Sequence, residues 1–201
     1  MNPSVKTRFA PSPTGLIHSG NLRTALFNAL FAYHHQGTFL LRMEDTDPER
    51  SKTEFADKLM ADLRWLGIEW QEGPECGGEY APYYQSQRGD IYQKYYQDLE
   101  QADKVYPCFC SPQELSLSRK LQRTAGQAPR YAGTCAHLNA EEVAKKREQG
   151  LQPTMRFRVP RGERVKFTDL VRQEQDFACD DIGDFIIRTC SLGLPRVILS
   201  A

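Results

Sequence analysis

TRFAPSPTGLIHSGNLRT, residues 7–24, reads as a short strand, a turn rich in proline and glycine, and a His-Ser-Gly-Asn step into a helix. A strand that feeds a helix through a tight turn creates an anion site. The first backbone N–H groups of the helix lack intrahelical partners and lie at the positive end of its dipole. His18 stands just before the helix, within reach of a bound nucleotide, and Gly20 lets the backbone approach closely because it has no Cβ. Leu22, Ala25, Leu26, Ala29, Leu30 and Tyr33 follow the spacing of one apolar helix face, and Gly37 supplies a stop. Thr38-Phe39-Leu40-Leu41-Arg42-Met43 then reads as a buried strand ending in the acidic run Glu44-Asp45-Thr46-Asp47. Strand, helix and strand over residues 7–43 predict a βαβ unit whose two strands are parallel neighbours. Ligands of such sheets bind at the carboxyl ends of the strands, so the topology gathers Arg8, Ser12, His18 and Glu44 at one edge.

Working outward, Ser51 and Glu54 have the spacing of a capping box, and Phe55, Leu59, Met60, Leu63 and Leu66 form an apolar helix face that Gly67 ends. Residues 71–84 read as a loop, and Ile91, Tyr92, Tyr95, Tyr96 and Leu99 mark a further helix whose aromatics belong to a core. The texture changes to Ser-, Gln- and Arg-rich sequence near residue 105, and residues 155–160, 164–171 and 184–189 read as strands. The 201 residues carry 26 basic and 26 acidic side chains, so composition alone gives no reason to expect a polynucleotide partner. The distribution is uneven: residues 41–103 hold 15 acidic and 7 basic side chains, whereas residues 115–166 hold 12 basic and 4 acidic, which points the second half toward phosphate. No apolar run reaches a membrane-spanning length and no signal peptide opens the chain, so a cytoplasmic location without a membrane partner is expected.

Six cysteines are present, and the absence of a signal peptide argues against disulfides. Cys108-Phe109-Cys110 and Cys135-Ala136-His137 pair as Cys-x-Cys followed by Cys-x-His, a ligand set that suits a closed, structural zinc site. Four protein ligands leave no position for water, so the metal would fasten a loop-rich segment rather than act as a Lewis acid.

RFAPSPTG, the His-x-Gly-x step, RTAL at 23–26, LRMEDTD at 41–47, GPECGGEYAPYYQSQR at 73–88 and IYQKYYQDL at 91–99 together resemble the start of a bacterial glutamyl-tRNA synthetase. This family belongs to the class I aminoacyl-tRNA synthetases, with a Rossmann-type catalytic domain, and the resemblance runs from about residue 5 to about residue 188. It implies an α/β fold: an incomplete Rossmann-type catalytic domain with an inserted zinc-containing α+β subdomain that binds the tRNA acceptor stem. Residues 1–105 would be the first half of the catalytic domain, 106–188 the insertion and 189–201 a divergent tail. The implied activity is glutamate–tRNA ligation through a glutamyl-adenylate, with ATP and Mg2+, L-glutamate and the acceptor stem of tRNA(Glu) as partners and a monomer as the expected state. Carried onto this sequence, His18, Gly20 and Asn21 take catalytic roles, and Pro11, Thr14, His18 and Gly20 meet ATP. Arg8, Ser12 and Glu44 bind glutamate: a guanidinium forks onto a carboxylate, a hydroxyl assists, and a carboxylate pairs with the ammonium. The zinc ligands would be Cys108, Cys110, Cys135 and His137. Tyr131 is the alternative fourth ligand, because the related enzymes that glutamylate queuosine in tRNA use Tyr-x-x-x-Cys.

Two departures from the family stand out. Ser19 replaces a usual apolar residue and Asn21 stands where some members have a second His. Family members are also more than twice as long, and the half with the Lys-Met-Ser-Lys-type loop has no counterpart here. After GDFIIR (183–188) the sequence reads TCSLGLPRVILSA, which is expected to reflect a frameshift or premature stop, with a natural short paralogue as the alternative. Two functional classes therefore stand open: a ligase (for tRNA(Glu), or the queuosine-glutamylating type) and a non-catalytic module that binds nucleotide or an acceptor stem.

Overall fold

In the computed structural model, which describes residues 5–47 and 49–189, β1 (Lys6–Phe9) and β2 (Thr38–Leu41) run parallel. Lys6 stands opposite Thr38 and Phe9 opposite Leu41, and α1 (Ser19–His34) connects the two strands, as the strand–helix–strand pattern predicts. The buried side of α1 is narrower than expected. Ala25, Ala29 and Ala32 are fully buried, while Leu26, Phe27 and Leu30 are exposed. Apolar residues occur nearly all round this helix, and the three methyl groups win the sheet-facing side because they let the helix lie close to Phe9, Phe39 and Leu41. His34 and His35, at the far end of α1, are exposed. The left-handed residue that closes α1 is Gln36, at φ 52°, not Gly37. Gly37 is required by close approach instead: a Cβ there would lie 2.1 Å from the Val5 carbonyl oxygen, which accepts the Thr38 N–H at 2.8 Å and starts the parallel ladder.

The segment expected as a loop over 71–84 lies along the other edge of β2. Leu41 N–H donates to the Glu72 carbonyl at 2.9 Å, and Met43 N–H to that of Tyr83 at 2.9 Å. The Glu72 side chain is buried and anchors this segment. It accepts Lys6 Nζ at 2.5 Å and the Tyr83 hydroxyl at 2.5 Å. Burial pushes its pKa up, but the hydrogen bonds from Lys6 and Tyr83 outweigh burial and hold it below the ordinary 4.5. Tyr83 is itself pushed up to about 12, by burial first and then by its bond to Glu72. A depressed carboxylate stabilises the fold above its unfolded pKa and loses that contribution as pH falls through the folded value. Glu72→Gln is therefore expected to flatten the acid limb of the stability curve, measured by thermal denaturation between about pH 3 and 6. An acid limb as steep as that of the wild type would count against this assignment.

α2 (Thr53–Trp65) buries Ala56, Leu59, Met60 and Leu63, and Gly67 ends it at φ 71°. The expected Ser51–Glu54 capping box does not form. Lys52 is the N-cap residue, Glu54 pairs with Lys52 Nζ at 3.6 Å, and Ser51 Oγ is buried without a hydrogen-bond partner. α3 (Gly89–Gln101) follows, with Tyr96 buried and Tyr95 exposed, so only part of its aromatic set is core.

The chain divides into two compact units, Met1–Tyr92 and Gln93–Ala201. The division falls within α3, ahead of the change of texture at residue 105, because the later turns of the helix belong with the second unit. Tyr96 Oη donates to the Ile187 carbonyl at 3.1 Å, and the Arg188 guanidinium lies 5.5 Å from the Tyr96 ring centre.

The second unit is built on an antiparallel sheet in the order β3 (Val105–Cys108), β4 (Thr154–Phe157), β7 (Phe185–Arg188). Between these strands stand α4 (Pro112–Thr124), α5 (Ala140–Glu148), the hairpin β5 (Arg164–Asp169) and β6 (Gln173–Ala178), and the single turn α6 (Cys179–Ile182). Capping boxes do occur here, at Ser111–Glu114 and Asn139–Glu142. Cys190 and all but the first residue of the 189–201 tail lie outside the described residues. Among the described residues no helix is long and apolar enough to cross a membrane.

Candidate functional site

Backbone hydrogen bonds carry the β1–β2 ladder past the strand ends. Arg42 N–H donates to the Phe9 carbonyl at 3.0 Å, and Glu44 N–H to that of Pro11 at 2.9 Å. This sets Glu44 beside the start of the Pro-rich turn. Its carboxylate accepts Arg42 Nη2 at 2.8 Å, with both side chains partly exposed. Arg8 belongs to the same group. Burial first, and then the neighbouring Arg42 cation, draw its pKa below the ordinary 12.5, while Glu44 acts in the opposite direction. Arginine stays protonated under such shifts, so two guanidinium groups and one carboxylate share the edge. Sequence reading missed Arg42. The signal was available, since residues two apart on an extended chain share a face and Arg42 and Glu44 have that spacing.

The turn fixes its own backbone. Thr14 N–H donates to the Ser12 carbonyl at 2.9 Å, Pro11 and Pro13 are buried, and Ser12 is exposed. Of the acidic run, Asp45 is committed to structure: it accepts Ser86 N–H at 2.8 Å and Ser86 Oγ at 2.5 Å, pinning the 3-10 turn at Gln85–Arg88.

His18 is the N-cap residue of α1, and its Nδ1 accepts the Gly20 N–H at 3.1 Å. Its carbonyl accepts Asn21 N–H at 3.0 Å and Leu22 N–H at 3.1 Å. The expected open row of helix-start donors is thus largely used by His18 itself. In exchange, an accepting Nδ1 places the imidazole proton on Nε2, and the exposed ring presents that N–H outward. Gly20 matters for this ring: a Cβ there would lie 3.0 Å from His18 Cε1. Gly20→Ala is therefore expected to displace the imidazole and weaken nucleotide binding by about tenfold, the worth of one charge-assisted hydrogen bond. Calorimetric titration with ATP checks this, and an unchanged affinity would remove Gly20 from the site. Asn21 is half-buried, with its backbone in the cap.

In the second unit the sulfur atoms of Cys108, Cys110 and Cys135 lie within 4.8 Å of one another. Cys110 Sγ is 3.7 Å from Cys135 Sγ, and Phe109 N–H donates to Cys135 Sγ at 3.4 Å. The fourth group at the cluster is Tyr131. Its Oη lies 3.4 Å from Cys108 Sγ and 3.5 Å from Cys110 Sγ, and accepts Cys135 N–H at 2.9 Å. His137 is exposed and outside the cluster. The turn that closes with Ala136 N–H on the Gly133 carbonyl at 2.8 Å carries it past the sulfur atoms. Arg156, which sequence reading did not single out, is buried with its guanidinium carbon 3.7 Å from the Tyr131 ring centre. Burial pushes the Cys108 thiol up, but hydrogen bonds with Tyr131 and Arg156 outweigh burial and bring it down to about 7. Cys110 is pushed up to about 11, mainly by burial. The Cys110–Cys135 separation and the two distances from Tyr131 Oη to Cys108 and Cys110 match the edges of a tetrahedral metal site. Bonds of about 2.3 Å to sulfur and about 2.0 Å to oxygen give S–S edges near 3.8 Å and S–O edges near 3.5 Å.

Residues 4–195 match the family model for the catalytic domain of class I tRNA synthetases (E and Q). A glutamate–tRNA ligase 2 from Alkalilimnicola ehrlichii is 65% identical over 185 residues, which are 92% of this chain and 39% of that protein. A glutamate–tRNA ligase 1 from Halorhodospira halophila is 63% identical, with the same coverage of 92% and 39%. The crystal structure of the glutamate–tRNA synthetase of Elizabethkingia anophelis is similar at a TM-score of 0.82 and 35% identity, covering 96% of this chain and 40% of that one. The chain thus spans about two-fifths of the length of the curated relatives it matches.

Proposed function

This chain belongs to the family of class I tRNA synthetases for glutamate and glutamine, within the catalytic domain, and on that premise we propose that it supplies one wall of a glutamyl-adenylate site in a glutamate–tRNA ligase. In the reaction a glutamate carboxylate oxygen attacks the α-phosphorus of ATP and pyrophosphate leaves. A ribose hydroxyl at the tRNA end then attacks the activated carbonyl and AMP leaves. Arg8 grips a carboxylate of glutamate, Ser12 adds a hydroxyl, and Glu44 accepts the ammonium. His18 donates from Nε2 to the phosphates of ATP, taken with Mg2+, while Pro11, Thr14, Gly20 and Asn21 shape the backbone around them. These groups act by positioning and by stabilising charge, which carry most of the catalysis in phosphoryl chemistry.

The observation that carries the reading is the grouping of Arg8 and Arg42 about Glu44 where β1 and β2 end. It offers both signs of charge to a zwitterion with an extra carboxylate. L-Glutamate and ATP are each expected to bind this chain saturably in calorimetry, with L-glutamine weaker than L-glutamate by about tenfold or more. Equal affinity for glutamine would overturn the assignment. Glutamate-dependent ATP–pyrophosphate exchange, run with and without tRNA, separates a catalyst from a binding module.

Residues 106–188 form, in this reading, the insertion that meets the tRNA acceptor stem, in a monomeric, cytoplasmic enzyme. Zinc would be held there by the Cys108, Cys110 and Cys135 thiolates with Tyr131 Oη as the fourth ligand, and would tie the segment together. The place of Tyr131 also favours a second reading, the queuosine-glutamylating type of ligase. Charging of total tRNA against a queuosine-bearing tRNA distinguishes the two.

A further inference from the structure

Arg8, Leu40, Arg42 and Glu44 share one face of the β1–β2 pair. Arg8 stands opposite Leu40 in the parallel register, and Arg42 and Glu44 follow Leu40 at steps of two along the extended chain. The backbone bonds of Arg42 to Phe9 and of Glu44 to Pro11 keep this alternation beyond the end of β2. Phe9, Phe39, Leu41 and Met43 take the other face and join the core with the alanines of α1.

The three charged groups differ in how they are held. Arg42 is largely buried: its side chain keeps 20% of its surface, and its Nε is enclosed without a hydrogen-bond partner. Its Nη2 donates to Glu44 Oε1 at 2.8 Å, and neither residue makes another ion pair among the described residues. Glu44 Oε2 accepts no hydrogen bond, and the exposed Arg8 guanidinium makes neither hydrogen bond nor ion pair, again among the described residues. Other charges nearby are committed elsewhere. Lys6, which shares the face, pairs with Glu72 at 2.5 Å, and both carboxylate oxygens of Asp45 are taken by Ser86.

A site that offers a cation and an anion side by side can quench itself. Opposite charges attract each other as readily as they attract a ligand, and more strongly where water is partly excluded. Glu44 already acts on Arg8 as an opposite charge. If the two closed on each other, the carboxylate that would take an ammonium and the guanidinium that would take a carboxylate would both be occupied. Arg42 is placed to prevent this, because it engages Oε1 of Glu44 from two residues back on the same chain and leaves Oε2 open.

We propose, on the reading of Arg8 and Glu44 as the glutamate-binding groups, that Arg42 is the positioning residue of that site: it tethers Glu44 through Oε1 and keeps it off Arg8, so that both groups stay open to substrate. Arg42 itself touches no substrate atom and acts through Glu44. Its burial fits this task, since a guanidinium enclosed at Nε is held in one place and has Glu44 as its counter-charge.

The test is calorimetry on the 201-residue chain with L-glutamate and with glutarate, which keeps both carboxylates and lacks the ammonium. Arg42→Gln is expected to weaken both ligands by about tenfold or more, because the released Glu44 occupies Arg8. Adding Glu44→Gln to that variant removes the quenching carboxylate. It should return glutarate at least to within about threefold of the wild type while L-glutamate stays weak. Arg42→Lys keeps a cation beside Glu44 and should recover most of both affinities. A merely structural role for Arg42 predicts no such rescue by a second substitution. Glutarate affinity unchanged in Arg42→Gln, or no rescue in the double variant, would overturn the role. Thermal transitions verify that the variants fold, and a carbon-detected NMR titration of the wild type serves if one does not. There L-glutamate should shift the Cζ resonance of Arg8 and leave that of Arg42 in place, whereas a larger shift at Arg42 would make it a substrate contact and overturn its positioning role. If the wild type binds neither ligand, the glutamate-site reading fails and the role of Arg42 with it. That result is distinct from wild-type binding that Arg42→Gln leaves intact, which removes Arg42 alone.

Discussion

Arg8→Ala is expected to weaken L-glutamate binding by about 100-fold or more while ATP affinity changes by less than about twofold. The magnitude follows from the loss of a forked, charge-assisted contact to a carboxylate, worth roughly 2–5 kcal/mol when a charged partner is left unpaired. The selectivity follows from position. Arg8 stands on β1 with Arg42 and Glu44 as its charged neighbours, whereas His18, the proposed phosphate donor, stands at the start of α1. Removing Arg8 also leaves Arg42 as the sole guanidinium beside Glu44, so the ammonium of the substrate competes with a tighter internal ion pair. Isothermal titration with each ligand checks both halves, and glutamate affinity within a factor of three of wild type, roughly 0.6 kcal/mol, would refute the role. Arg8→Lys should restore only part of the loss, because an ammonium is a point charge and cannot fork.

Cys108→Ser should abolish stoichiometric zinc and lower the thermal transition of the second unit by about 10 °C or more. The size of the effect comes from what else holds this segment. Neither α4 nor α5 contains a buried residue. The local core is a small cluster of Tyr106, Cys108 and Cys135, with Phe109, Tyr131 and Leu138 packed against it. A metal joining three of those side chains, as proposed, would substitute for the apolar area the segment lacks. The fourth ligand is decided by comparison: Tyr131→Phe should reduce zinc retention against a chelator, and His137→Ala should leave it unchanged. Zinc analysis after dialysis reads both, and the reverse pattern would return His137 to the site.

The parallel β1–β2 pair was legible because a four-residue strand, a Pro/Gly turn and a long patterned helix leave little other topology. The buried face of α1 was not, because leucine and phenylalanine surround the helix and hydropathy alone ranks them above the alanines that face the sheet. β3 escaped notice because it is four residues long and contains Pro107, which an edge strand tolerates. β6, QEQDFA, has no apolar alternation, and its pairing rests on the backbone ladder with β5 and on contacts such as Arg164 Nε to Asp176 at 2.7 Å. The capping boxes at Ser111 and Asn139 have the same spacing as the one expected at Ser51. The difference is local: at Ser51 the chain turns one residue later and the hydroxyl is buried. Arg8, His18 and Glu44 could be chosen because topology places strand ends and helix starts. Tyr131 and Arg156 could not be weighed that way, because their roles depend on three segments brought together across a long sequence separation.

The buried stripe of Ala25, Ala29 and Ala32 has a consequence for the chemistry at the far end of the helix. Three methyl groups act as a thin, uniform spacer between α1 and the strands, and the thickness of that spacer sets how far α1, which His18 caps, lies from the strand that carries Arg8 and the strand that leads to Glu44. A heavier side chain at Ala29 would act as a shim. It would lift the helix and retune the gap between His18 and the Arg8–Glu44 group without touching either of them.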